Sequence, residues 1–205
     1  MTPWDEFAVN TLPDGPLQPF SWTPYPGHGP GLELLGLKAG SAVLELGCGR
    51  GDRLVHCVEA GHRAVGVDAS TVQIAAAGWW GRLGLRLHHA DAAHYLLNTT
   101  DLFDAVFSVF GAHWFTDPAV LLPRIRARLR EGGMVALAHM PPEEDGGGRV
   151  YASPPNGRSV VRWEGGASDW AYALNHAGFK RPAVTMVEPP YGSGGVHTAV
   201  LTAWG

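Results

Sequence analysis

From about residue 42 onward, short apolar runs alternate with amphipathic stretches. Apolar runs punctuated by glycine and polar turns read as buried parallel strands, and the amphipathic stretches between them as crossover helices. The pattern predicts strands over 42–46, 63–67, 85–89, 103–108 and 134–139. It predicts helices over 52–60, stopped by Gly61, and over 72–83, which Ser70 can cap. A short helix is expected over 92–97. Another opens at Asp117-Pro118, with proline at its first position, and runs to Arg130 before Gly132-Gly133. A last helix, capped by Ser168 or Asp169, ends at Ala177-Gly178, and two strands follow near 183–187 and 197–203. The stretch 141–166 is rich in proline, glycine and acids, and is expected to be a mobile loop rather than an acidic partner-binding tract.

Residues 1–40 have a different texture. They are proline-rich and carry Trp4, Phe7, Phe20, Trp22 and Tyr25, too many aromatics for a disordered tail. They read as a lid, with a hinge at 27–31, ahead of one α/β domain over 41–205.

Composition changes this picture little. The chain of 205 residues is long enough for one full α/β core. A net charge of −4 gives no electrostatic reason to bind nucleic acid. Two cysteines, Cys48 and Cys57, make no disulfide framework, so a reducing cytoplasm is expected. No basic-then-apolar leader opens the sequence and no apolar run approaches a membrane span, so no membrane partner is expected.

Candidate chemistry centres on Glu45-Leu46-Gly47-Cys48-Gly49-Arg50-Gly51-Asp52. Alternate glycines between a strand and a helix let backbone N–H groups approach a ligand. A dinucleotide fingerprint needs glycine where Asp52 stands, which disfavours NAD and a nicotinamide oxidoreductase. Asp68 ends the second predicted strand, where a carboxylate can accept from both ribose hydroxyls of an adenosine; its alternative is a helix N-terminal acid.

The order of these motifs resembles class I S-adenosylmethionine (SAM)-dependent methyltransferases, from about Gly40 to Gly133 and more loosely to Gly205. The glycine turn stands as motif I, and 103–115 resembles the fourth-strand motif of small-molecule enzymes of the ubiquinone/biotin-biosynthesis type. The resemblance implies a doubly wound, mostly parallel seven-stranded Rossmann-like sheet whose last two strands form an antiparallel edge, with a short N-terminal lid that helps enclose substrate. It implies SAM as cofactor and S-adenosylhomocysteine as product. It places Glu45 by the methionine amino group and Asp91 and Ala92 on the adenine, and adds Gly47, Cys48, Gly49, Gly51, Asp68, Ala69 and Ser108 to the cofactor set. Asp91 has a capping role as its alternative.

Amino-methylating DNA enzymes carry Asn/Asp-Pro-Pro-Tyr/Phe after the fourth strand, and here the chain reads Ser108-Val109-Phe110-Gly111. With the acidic charge, this points to a small-molecule acceptor and away from a nucleobase. His113 is the candidate general base, or else it packs the start of the next helix. Trp22, Tyr25, His28, Phe110, His113 and Trp114 form the expected substrate wall, with core packing as the alternative for the aromatics. No metal site is expected, because adjacent His88 and His89 point to opposite faces of a strand. The expected function is SAM-dependent methyl transfer to a small molecule, in the setting of secondary metabolism; a noncatalytic SAM-binding regulatory or scaffold protein is the alternative. Acceptor, methylated atom and oligomeric state stay open.

Overall fold

The computed structural model describes residues 1–11, 17–78, 83–142, 148–152 and 159–205. Seven strands form one sheet: β1 (Ala42–Leu46), β2 (Arg63–Asp68), β3 (Arg86–His89), β4 (Phe103–Val109), β5 (Leu129–His139), β8 (Lys180–Val187) and β9 (Thr198–Trp204). Their order is β3-β2-β1-β4-β5-β9-β8. β3, β2, β1, β4 and β5 run parallel, while β9 is antiparallel to β5 and β8 to β9. The order reverses between β1 and β4, which opens a crevice at their carboxyl ends where ligands bind in open α/β sheets.

Every residue of β1 is buried, as expected of a strand covered on both faces. Its side chains alternate. Leu44 and Leu46 pack with α4 (Ala92–Asn98), α6 (Pro118–Arg126) and α7 (Ala167–His176). Val43 packs on the other face with α2 (Asp52–Glu59) and the segment around Trp22 and Leu35. Two shorter helices follow β2 and β4, α3 (Thr71–Ala76) and the single turn α5 (Ala112–Phe115).

Several boundaries differ from expectation. The N-terminal segment, expected to be a lid, begins with a helix, α1 (Pro3–Thr11). Thr2 and Asp5 cap it reciprocally: the Asp5 N–H donates to Thr2 Oγ1 at 3.1 Å and the Thr2 N–H to Asp5 Oδ2 at 2.9 Å. Thr2-Pro3-Trp4-Asp5 is thus a capping box with proline at the first helical position. The expected helix 72–83 is α3, ending at Ala76, and its later part includes positions outside the described residues. The helix expected to reach Arg130 ends at Arg126, and β5 begins at Leu129 and continues through Gly132 at φ +71°.

The stretch 141–166 was expected to be a loop, but it contains a two-stranded antiparallel sheet, β6 (Gly148–Ala152) with β7 (Val160–Glu164). Val160-Val161-Arg162-Trp163 is β-branched and aromatic enough to pair, and the surrounding glycines and prolines hid it. The tract 143–147 lies outside the described residues.

Asp5 also ties α1 to the sheet. Its Oδ1 accepts from Ser70 Oγ at 2.9 Å and Thr71 Oγ1 at 3.0 Å, at the start of α3. These donors, led by the Thr2 backbone, hold its carboxyl well below the usual carboxylate range. Its contribution is present above the ordinary aspartate pKa and is lost as pH falls below it. Asp5→Ala should cost about 1–2 kcal/mol at neutral pH, read from denaturant melts, and the gap from wild type should narrow in acid.

Candidate active site

The turn after β1 is built on glycine because neighbouring chain leaves no room. Gly47 has φ +73°, and a Cβ there would stand 2.4 Å from the Ala112 nitrogen. The turn is hung on the end of β2. The Gly47 and Cys48 N–H groups donate to the Val67 carbonyl, and the Gly49 N–H to Asp68 Oδ2 at 2.8 Å. The Ser70 N–H donates to the other oxygen, Oδ1, also at 2.8 Å. Burial pushes the Asp68 carboxyl above its ordinary pKa, and these backbone donors oppose the shift.

Two clefts open beside this turn. Their volumes, about 180 and 200 Å³, do not separate them, but their linings do. The first is lined by Gly47, Gly49, Asp68 and Ala69, by Asp91 and Ala92, and by Phe110. Asp91 caps α4 through the His94 N–H at 2.8 Å, so the capping alternative holds for that residue as geometry. The second lies between α2 and the segment 18–26, with Arg53 and His56 on its wall. Phe110 borders both. Its φ of +50° is unusual for a bulky residue and marks a backbone held in strain where the two clefts meet.

The remaining residues of the expected cofactor set, Glu45, Cys48, Gly51 and Ser108, do not line the first cleft. Ser108 is buried, and its hydroxyl donates to the Leu46 carbonyl at 2.6 Å, joining the ends of β1 and β4. Cys48 is buried, and Gly51 packs on Leu85 and Leu87 at the start of α2. Glu45 is fully buried, with Arg53 Nη1 3.7 Å away and neither carboxylate oxygen hydrogen-bonded. Burial raises its pKa to about 8, against the pull of Arg53.

The expected substrate wall is dispersed. Trp22 has no exposed surface; it packs on Phe107 and donates its indole N–H to the Gly31 carbonyl at 2.9 Å, so it is core. Tyr25 and His28 bind the connection between β8 and β9, through Val196 and the Glu188 carbonyl. None of the three lines the first cleft. His113 faces away from it as well. It is fully buried, with Nε2 3.3 Å from His139 Nδ1, and burial holds its pKa well below the usual histidine value. The same cause lowers His139 to about 4, opposed by a hydrogen bond to the Gly165 backbone. His113 therefore stands as an uncharged packing residue and not as a base at the cleft.

Sequence reasoning missed Trp4, Phe7, Gln73 and Phe115, which line the first cleft. Trp4 meets Phe115 edge-to-face at 4.6 Å. α1 thus lies on the same cleft as Asp68. The capping box at Thr2 and the i, i+3 pair Trp4/Phe7 were the available signal.

Residues 43–133 match a family described as a methyltransferase domain. A trans-aconitate 2-methyltransferase from Deinococcus radiodurans is 30% identical over 97 residues, which is 46% of this chain and 36% of that protein. The match thus spans little more than a third of that curated relative's length. Among solved structures, a Burkholderia thailandensis 1,6-didemethyltoxoflavin-N1-methyltransferase, crystallised with its acceptor and S-adenosylhomocysteine, is 26% identical at TM-score 0.64. The similarity covers 81% of this chain and 71% of that one. A Haemonchus contortus phosphoethanolamine N-methyltransferase 2 in complex with SAM shares the fold at TM-score 0.66 and 17% identity, over 84% of this chain and 50% of that one.

Proposed function

We propose that the chain is a class I SAM-dependent methyltransferase and that it transfers the SAM methyl group to a small-molecule acceptor, in secondary metabolism. The observation that carries the reading is Asp68, held by two backbone N–H groups on the wall of a cleft that Asp91 also lines. SAM, when bound, supplies a methyl on a positive sulfonium for in-line displacement by a nucleophile.

The residues present fit that cofactor. Asp68 accepts from the ribose hydroxyls, and Asp91 and Ala92 meet the adenine. Gly47 and Gly49 let the backbone come close, and Trp4 and Phe7 cover the cleft and exclude water. Glu45, buried with no hydrogen-bond partner, takes the positive amino group of the methionine end. Such a site works by orienting its reactants and keeping water out. The small-molecule acceptor is supported by the similar proteins, whose names are those of small-molecule methyltransferases. Labelled SAM with a metabolite extract tests the reading. Calorimetry showing SAM bound in the micromolar range and NAD not bound is the expected first result, and NAD binding without SAM would overturn it.

Glu45 gives the proposal a proton signature. With a pKa near 8 it is protonated at pH 7, and a cation placed beside it lowers that value. SAM binding at pH 7 should therefore release close to one proton, and affinity should climb with pH up to about 8. Calorimetry in buffers of different ionisation enthalpy reads the release directly. Glu45→Gln should abolish it, and an unchanged proton count in that variant would remove Glu45 from the site.

A further inference from the structure

Asp68 and α1 are joined through one buried side chain, Ser70. Its N–H donates to Asp68 Oδ1 at 2.8 Å, and its hydroxyl donates to Asp5 Oδ1 at 2.9 Å. The same hydroxyl accepts from the Gln73 N–H at 3.2 Å, so its own proton is left for Asp5. Ser70 has no exposed surface and Asp5 is 5% exposed, so water competes poorly for these bonds.

Asp5 divides its two oxygens between the body and the helix. Oδ1 accepts from Ser70 and from Thr71 Oγ1 at 3.0 Å. Oδ2 accepts from the N–H and the hydroxyl of Thr2, both at 2.9 Å. α1 needs such a fastening. It has nine residues, and a helix shorter than about 12 residues is marginal in water on its own. Asp5 and Ala8 are its buried residues. Trp4 and Phe7 line the first cleft, where Trp4 meets Phe115. Lifting α1 breaks the Asp5 bonds to α3 and the Trp4–Phe115 contact, and uncovers the cleft beside Asp68.

We propose that α1 is a lid over the cofactor, that Asp5 is its latch, and that Ser70 couples the latch to the ribose carboxylate, Asp68. This rests on the methyltransferase reading above. Asp5 does not line the cleft and acts through Ser70, so it is a positioning residue. With the lid docked, the cofactor gains the cover of Trp4 and Phe7 and an Asp68 fixed by Ser70. With the lid lifted it loses both. Cofactor and docked α1 therefore stabilise each other by the same factor. A docked lid slows departure, so the coupling appears mainly in the dissociation rate.

The test uses the full chain, with S-adenosylhomocysteine as a probe that binds without turnover. Stopped-flow measurement gives its dissociation rate, and hydrogen exchange read by mass spectrometry gives the protection of α1. In the wild type the probe should slow exchange in α1. Asp5→Ala should speed dissociation about tenfold and weaken affinity by a similar factor. Ser70→Ala, which keeps its N–H on Asp68, should do likewise. The double variant should lose no more than about twofold beyond either single one, because both changes break one connection. Thr71→Val removes one donor to Asp5 and gives a smaller acceleration; it replaces Asp5→Ala if that variant does not fold. Gly61→Ala lies at the other end of β2, and should keep the wild-type rate although it loses about as much stability as Asp5→Ala.

A wild type that binds no S-adenosylhomocysteine fails the cofactor reading and this inference with it. Binding whose dissociation rate is unchanged in Asp5→Ala and Ser70→Ala overturns the latch alone. So do α1 exchange that the probe does not slow, a double variant whose effects multiply, and an equal acceleration in Gly61→Ala.

Discussion

Gly47→Ala is expected to lose about 3 kcal/mol or more of stability, or to fail to accumulate as folded protein. Two costs add. The residue sits at φ +73°, where a side chain is strained by about 1–2 kcal/mol. Its Cβ would also meet the backbone of Gly111 and Ala112 at 2.4 to 3.0 Å, and backbone cannot rotate aside as a side chain can. Gly61→Ala is the control. Gly61 has a similar φ of +83° and nothing within 4 Å of a Cβ, so it should lose only the conformational part, about 1–2 kcal/mol. Denaturant melts of both variants isolate the close approach of the two turns. Equal losses would show that contact between the β1 and β4 turns contributes nothing.

The second large effect is on ligand affinity. Asp68→Ala should weaken SAM binding roughly tenfold to a hundredfold, in line with about 1–3 kcal/mol for removing a charged acceptor. The ribose hydroxyls lose their partner, and so do the Gly49 and Ser70 N–H groups, so the glycine turn loosens as well. Asp68→Asn keeps one acceptor oxygen and should lose less. Calorimetry at pH 7 measures both, with melts to confirm folding. Wild-type affinity in a folded Asp68→Ala would remove the ribose role.

The β–α alternation was readable because strands covered on both faces are largely apolar, and β1 is short and set between Gly40-Ser41 and Gly47. The antiparallel edge came through the resemblance, and the strands are there at β8 and β9. What escaped was non-local. Trp22 has the aromatic character of a binding residue, and only its contact with Phe107, far along the chain, makes it core. His113 looked like a base because its burial by His139 and Trp170 cannot be seen from its neighbours in sequence. β7 was masked by punctuation on both sides, although its own residues favour pairing. α1 was legible in principle from its capping box, but proline and aromatic content drew attention first.

The sheet order also governs how the chain comes together during synthesis. β9 lies between β5 and β8, and β5 has no other neighbour on that side. From the moment β5 emerges until residues 198–204 follow, its outer edge presents Met134–Ala138 backbone with no partner, in one of the most apolar strands of the protein. Such an edge is a template for pairing with another chain. The aromatic segment near the start waits for the same event, since Tyr25 is held by Val196 across 171 positions. The nascent chain thus carries its stickiest edge and an undocked aromatic strap together, and one late strand and the connection before it retire both.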